Sequence, residues 1–130
     1  MRGLAAGLAV ALICVAGLPA GGTASAASAG SGDTPSRALI TADEYSLVLL
    51  RGELARGPAI PQNYNRGEDP HDLRLRRLGH SRVYQIPTTA PGSTESLQLR
   101  MGTGHWVLWC SLAHHRSCGM EANLRVKKHL

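Results

Sequence analysis

The stretch Gly104–Lys128, GHWVLWCSLAHHRSCGMEANLRVKK, consists of two alternating segments that flank a loop. In a strand, Trp106, Leu108 and Cys110 of the first segment would lie on one face. In the second segment Leu124 and Val126 alternate with basic residues. A period of two is typical of half-buried β-strands. This stretch therefore predicts a strand, a loop and a second strand.

The same alternation recurs through the rest of the chain. It is visible in YSLVLLRGEL (45–54), DLRLRRL (72–78) and ESLQLRM (95–101), and glycine or proline interrupts the pattern between these segments. No stretch shows a convincing helical period. Short strands at this spacing predict an all-β sandwich or small barrel. Because Pro61 cannot donate a backbone hydrogen bond, its strand is expected to lie at a sheet edge or to be broken there.

The N-terminus is typical of a secretory signal peptide. One positive residue, Arg2, precedes an apolar run over 4–18 that is too short for a membrane span and ends at Pro19. The small residues at 24–26 suit a cleavage site, so we expect a signal peptide at 1–26, a disordered Ala/Gly/Ser-rich lead-in at 27–37 and one domain at 38–130. The protein is then secreted or extracytoplasmic, without membrane insertion after cleavage. Cys14 is expected to be removed with the signal peptide, because Ile13 is not the small residue that precedes a lipid-anchor cysteine, although a lipid anchor is the alternative.

The charge of the chain is mildly basic and scattered. The formal net charge is +5, and only Arg74, Arg76 and Arg77 lie close together in sequence. Aromatic residues make up 4% of the chain, too few for a platform that stacks bases. Nucleic acid is therefore not expected as a partner, and we interpret the arginine cluster as a solvated strand face.

The loop between the two strands is dense in soft or borderline metal ligands. Within the segment 110–120 it holds Cys110, His114, His115, Cys118 and Met120. A thiolate and two imidazoles in a plane, with a long axial thioether, form the blue-copper electron-transfer site. The loop supplies three of these four ligands, and a second imidazole must come from elsewhere. A Cys110–Cys118 disulfide is the alternative, since paired cysteines are the default in an exported protein.

The loop resembles the C-terminal ligand loop of the cupredoxins, the group of plastocyanin, azurin and halocyanin. The positions that match the family pattern without a gap are Cys110, His115, Gly119, Met120, Leu124 and Val126. A second stretch, NRGEDPHDLRL (65–75), resembles the upstream histidine loop of the family, with Asn65, Gly67, His71, Asp72 and Leu73 in place. The chain departs from the pattern at Ala113, His114, Cys118 and Ala122, where the family has Pro, Gly, Ala and Gly.

The resemblance implies a Greek-key β-sandwich of seven or eight strands with one type 1 copper site. It places His71, Cys110 and His115 in the equatorial plane and Met120 in the axial position. His115 would lie at the surface as the electron port. The implied function is single-electron transfer by Cu(I)/Cu(II) cycling in a monomer that meets an unidentified redox partner protein, with no substrate transformed and hence no enzyme activity.

Two other functions remain open. The domain could store or deliver copper, with His114 and Cys118 taking part. Alternatively, it could be a metal-free interaction domain of the same fold, with a Cys110–Cys118 disulfide. Multicopper oxidases and copper nitrite reductases need further copper sites and more than one such domain, and this chain lacks both the length and the spare His-x-His pairs.

Overall fold

The computed structural model describes residues 34–130, and these form ten β-strands and no helix. The strands are β1 (Ser36–Asp43), β2 (Ser46–Leu49), β3 (Glu53–Ala55), β4 (Gly57–Asn65), β5 (His71–Arg77), β6 (Val83–Thr89), β7 (Thr94–Ser96), β8 (Leu99–Met101), β9 (Gly104–Trp109) and β10 (Glu121–Lys127). The count exceeds the predicted seven or eight because β3, β7 and β8 have three residues each, and three residues are too few to show a period of two.

The strands form two mixed sheets. The first has the order β2-β1-β4-β7, and β8 also pairs with β4. The second has the order β3-β10-β9-β5-β6. The pairs β1–β4 and β3–β10 are parallel, and the other pairs are antiparallel. Many neighbours within a sheet are distant in sequence, so the chain crosses repeatedly between the sheets.

One hydrophobic core lies between the two sheets. Its fully buried members include Ile40 from the first sheet and Leu73, Leu75, Ile86, Leu108 and Leu124 from the second, each at most 1% exposed. Full burial of one such side chain is worth about 1.5–3 kcal/mol. The predicted alternation is observed in β10 and, from Leu73 onward, in β5. It is not observed in β9, where Val107 is buried along with Trp106 and Leu108. The all-β sandwich is confirmed.

Pro61 lies inside a continuous strand that is not at an edge, so the expectation of an edge or a break was wrong. It pairs with Ala38 of β1 on one side. On the other side its carbonyl accepts a hydrogen bond from the Leu97 N–H (3.1 Å), in the connection between β7 and β8. The partner strand is interrupted at this point, so no ladder position requires the N–H that proline lacks.

The first strand starts earlier than the predicted domain. Ser36 and Arg37 already pair with β4, so β1 begins inside the segment expected to be a disordered lead-in to residue 38. The predicted signal peptide at 1–26 lies outside the described residues. Within 34–130, no helix is long and apolar enough to cross a membrane.

Strand register brings three connections to one end of the sandwich. β1 and β4 are parallel and end together at the Ala42–Asn65 pair, which places the Glu44–Tyr45 turn beside the 66–70 connection. In the other sheet Trp109 pairs with both Arg74 near the start of β5 and Glu121 at the start of β10. The 110–120 loop therefore emerges beside the first residue of β5, His71.

Candidate metal centre

Three of the four predicted ligands converge in one cluster. One nitrogen of His71, the Cys110 sulfur and one nitrogen of His115 all lie within 4.8 Å of one another. The Nδ1 atoms of His71 and His115 are 3.2 Å apart, and the Cys110 Sγ lies 3.5 Å from the His115 Nδ1. His71 and Cys110 are fully buried, whereas His115 is partly exposed. The cluster therefore lies just below the surface, with one imidazole toward solvent.

Met120, the fourth predicted ligand, is fully buried and closes the loop. Its carbonyl accepts a hydrogen bond from the Cys110 N–H (3.1 Å), and its N–H donates to the carbonyl of His115 (3.1 Å). These two bonds hold the backbone of Met120 next to two members of the cluster, Cys110 and His115. Its position as an axial ligand remains a prediction.

Two backbone conformations shape the loop. Gly119 has φ +115°, and a Cβ there would lie 3.2 Å from the carbonyl oxygen of Tyr45, so the close approach of the two chains requires glycine. Ala113 has φ +37°, in the left-handed region that proline cannot reach. At position 113, where the family pattern has proline, this chain therefore differs both in the residue type and in the backbone conformation.

The Asp72 carboxylate ties β5 to the start of the loop. It accepts hydrogen bonds from the backbone N–H of Ser111 (2.6 Å), from the Ser111 hydroxyl, and from the Arg74 Nε–H (3.0 Å). Burial by itself would raise the pKa of Asp72, but the bonds from Ser111 and Arg74 outweigh it and lower the pKa. Asp72 is thus held as a buried carboxylate next to the residue that follows Cys110.

Burial raises the pKa of the Cys110 thiol, and the nearby Asp72 carboxylate raises it further. Without a metal the site therefore favours the protonated thiol. A thiol must lose its proton to coordinate a metal, and a bound cation supplies the positive charge that reverses this preference.

Sequence reasoning missed two residues at the cluster, Glu44 and Tyr45. The Glu44 Oε1 lies 3.3 Å from the Nε2 of His71, and the ring of Tyr45 lies edge-on to that of His115 at 5.1 Å. They follow β1 and are distant in sequence from both histidines. Only the parallel pairing of β1 with β4 brings them to the site, and no local pattern signals it.

No protein-family model matches this chain, and no curated protein matches it. Solved structures do. Auracyanin from Roseiflexus castenholzii matches with a TM-score of 0.59 and 15% identity over 74% of this chain and 99% of that one. Auracyanin A from Chloroflexus aurantiacus, described as a "blue" copper protein, matches with a TM-score of 0.59 and 13% identity over 72% of this chain and all of its own. The chain has the cupredoxin fold.

The cupredoxin resemblance inferred from the two loops is therefore confirmed at the level of fold. A copper-containing nitrite reductase from Thermus scotoductus also matches, with a TM-score of 0.54 and 14% identity, over 75% of this chain but only 32% of the enzyme. The likeness thus extends to the whole length of small cupredoxins and to one part of a larger copper enzyme.

The donor set of the cluster fits a single type 1 copper site. The two Nδ1 atoms, 3.2 Å apart, form a hydrogen bond when one of them carries a proton, and a cation coordinated by both would take the place of that proton. Two imidazoles and one thiolate are the equatorial set of that site. Within residues 34–130 this is the one cluster of this kind.

The remaining histidines and the second cysteine lie outside the cluster. His80, His105, His114 and His129 are all exposed. Cys110 and Cys118 are both free, the first buried and the second exposed. The structure therefore presents the state in which Cys110 is available to a metal.

Proposed function

We propose that this protein is an exported type 1 copper protein that carries single electrons by Cu(I)/Cu(II) cycling. The observation that carries the proposal is the His71–Cys110–His115 cluster, with two of its members fully buried and all three at one end of a β-sandwich. The sequence alone predicted these three residues as ligands, together with Met120 as a fourth. The likeness to a "blue" copper protein over its whole length supports the same chemistry.

Each residue has a distinct part in this function. The Cys110 thiolate would be the strongest ligand to copper, the imidazoles of His71 and His115 would hold the ion with it, and buried Met120 would offer a weak thioether. Bound copper would supply the one-electron chemistry. The sheets hold β5 and the loop after β9 in fixed register, so the donor atoms need move little when charge changes. Partly exposed His115 gives a redox partner protein its shortest approach to the site.

A carrier is proposed in preference to an enzyme. The chain matches auracyanin over 99% of that protein, whereas it covers 32% of the nitrite reductase. A small single domain with one cluster suits electron exchange between proteins, and we propose that it acts as a monomer in an extracytoplasmic compartment. The lack of enzyme activity stays a prediction.

Copper delivery is the second candidate, and one observation favours it. His114 and Cys118 are exposed on the same loop as Cys110 and His115, where they could pass Cu(I) to or from another protein. Soft thiolate ligands prefer Cu(I). A delivery protein would hold Cu(I) without colour and resist oxidation.

The deciding experiment is to express the full chain, purify the protein, add Cu(II), and record the visible spectrum together with the copper-to-protein ratio. An intense thiolate-to-copper band at one copper per chain supports the carrier. Cys110→Ala should abolish the band, and the matched control Cys118→Ala should keep it. A colourless protein that retains Cu(I) in air would favour delivery, and a copper-free protein with a Cys110–Cys118 disulfide would overturn both.

A further inference from the structure

We propose that Glu44 is a positioning residue of the copper site, which fixes the ring of His71 and favours Cu(II) over Cu(I). This inference rests on the proposed function. It starts from the β1–β2 turn, which contributes no ligand yet contacts both histidines: Glu44 faces His71, and the adjacent Tyr45 packs against the ring of His115.

The carboxylate of Glu44 is held in place by the loop that carries His71. Its Oε1 accepts hydrogen bonds from the backbone N–H groups of Glu68 (2.7 Å) and Asp69 (2.8 Å), and the Nε2 of His71 lies 3.3 Å from the same oxygen. Three donors thus converge on one carboxylate oxygen. Such a carboxylate has a defined position although it belongs to a partly exposed side chain.

Gly67 leaves the space that this carboxylate occupies. A Cβ at Gly67 would lie 2.2 Å from the Glu44 Oε1 and 2.7 Å from its Cδ, far inside contact distance. The loop is held from its other side by Asn65, whose amide donates to the carbonyls of Asp69 (2.7 Å) and Thr89 (2.9 Å) and accepts from the Gly67 N–H (2.9 Å). The pocket for the carboxylate is therefore built by the loop itself.

The contact decides which nitrogen of His71 binds metal. A neutral imidazole has one N–H and one lone pair, and an Nε2–H directed at a carboxylate leaves the lone pair on Nδ1. The Nδ1 of His71 is the atom that faces His115 at 3.2 Å. Hydrogen bonds of this kind to a metal-binding histidine fix the ring and raise its basicity, and their loss typically weakens metal binding by about 10–100-fold.

The negative charge of Glu44 acts on the redox equilibrium as well. It stabilises the more positive Cu(II) state more than Cu(I), so it lowers the reduction potential. The side chain is 28% exposed, so solvent weakens the effect, and we take the lower end of that range, about tenfold, as the loss of Cu(II) affinity. With the Cu(I) affinity unchanged, the ratio of the two affinities changes by the same factor. For a one-electron couple a tenfold change in that ratio corresponds to about 59 mV.

The test compares the full-length wild type with Glu44→Gln, Glu44→Ala and the control Asp43→Asn. Glutamine keeps the length and an acceptor oxygen but removes the charge, and alanine removes both. Asp43 is a neighbouring carboxylate on the same turn that pairs with Arg66 (2.6 Å) instead of a histidine. The readouts are the reduction potential, Cu(II) affinity by competition, and the His71 ring tautomer in the metal-free protein by nitrogen NMR.

We expect Glu44→Gln to raise the potential by about 59 mV, which is the tenfold ratio above, and Asp43→Asn to leave it unchanged. Glu44→Ala should also weaken Cu(II) binding by at least about tenfold and shift the tautomer population of His71. If Glu44→Gln and Glu44→Ala match Asp43→Asn in potential and tautomer, the proposal is wrong and Glu44 only braces the loop.

Failure of the proposed function gives a different result. A wild type without a blue band would overturn the electron carrier, while the tautomer of His71 in the metal-free protein would still decide the role of Glu44. An Nε2–H in the wild type that is lost in Glu44→Ala supports the positioning role. The same tautomer in both proteins would refute it.

Discussion

Replacing Asp72 should destabilise the fold more than any other single change to a carboxylate at this end of the sandwich. Asp72 is 2% exposed and accepts two hydrogen bonds from Ser111 and one from Arg74. A hydrogen bond to a charged group contributes about 1.5–3 kcal/mol, whereas the 30% exposed Arg74 pairs with water when released and adds about 0–1 kcal/mol. Asp72→Ala should therefore lower the free energy of unfolding by at least about 3 kcal/mol, the lower limit for the two bonds from Ser111.

The milder variant separates charge from hydrogen bonding. Asp72→Asn keeps an acceptor for the Ser111 N–H but directs an amide N–H toward the Nε–H of Arg74, so we expect a loss of about 1–2 kcal/mol. Urea unfolding of the metal-free protein, followed by tryptophan fluorescence, measures both. Asp69→Asn is the control, because that side chain is exposed, and it should stay within about 0.5 kcal/mol of wild type. An Asp72→Ala protein as stable as Asp69→Asn would refute the reasoning.

Three further outcomes are expected. Gly119→Ala should cost at least about 1–2 kcal/mol by urea unfolding, since its φ is +115° and Tyr45 leaves no room; an unchanged midpoint would contradict this. Copper at about 100 times its dissociation constant should stabilise the protein by about 2.7 kcal/mol, seen as a raised Tm that a chelator reverses; no shift would argue against a native site. The hydrogen bond from Arg66 lowers the pKa of Asp43 below its ordinary value of 3.8. The stabilising effect of this ion pair is therefore present above pH 3.8, and it is lost as the pH falls through the lowered pKa of Asp43 in the folded protein. The Tm difference between wild type and Asp43→Asn should vanish in acid, and a difference that grows there would have the wrong sign.

The parts of the fold that follow from sequence are those where neighbouring residues carry the signal. In β5, Leu73 and Leu75 are buried on one face while Arg74 points outward to Gln85, as their alternation predicts. The ligand pattern of the 110–120 loop is predictable for the same reason, because Cys110 and Met120 belong to one short segment. Local order is set by local side chains, and a period of two is visible without knowledge of the partner strand.

Long-range pairing is what the sequence could not supply. His71 could be predicted as a ligand only from the resemblance of its loop to a family pattern. Glu44 could not be predicted from sequence, because its contact with His71 depends on the parallel pairing of β1 with β4. Pro61 is a second example of a contact that depends on the partner strand. The sequence shows that its N–H is missing, but not that β7 and β8 leave a gap opposite it, so that β4 remains in the interior of the sheet.

The competition between copper and a Cys110–Cys118 disulfide can be argued from burial. Disulfide exchange needs a thiolate that is accessible, and Cys110 is fully buried with its pKa raised by that burial. Cys118 is exposed and lies in the turn of the loop, where its N–H donates to the carbonyls of His114 (3.1 Å) and His115 (3.2 Å). The same burial that slows oxidation does not prevent coordination, because a metal cation lowers the pKa of the thiol it binds. The fold thus protects Cys110 from its neighbour while leaving it open to copper, and Cys118 departs from the family pattern without displacing the site.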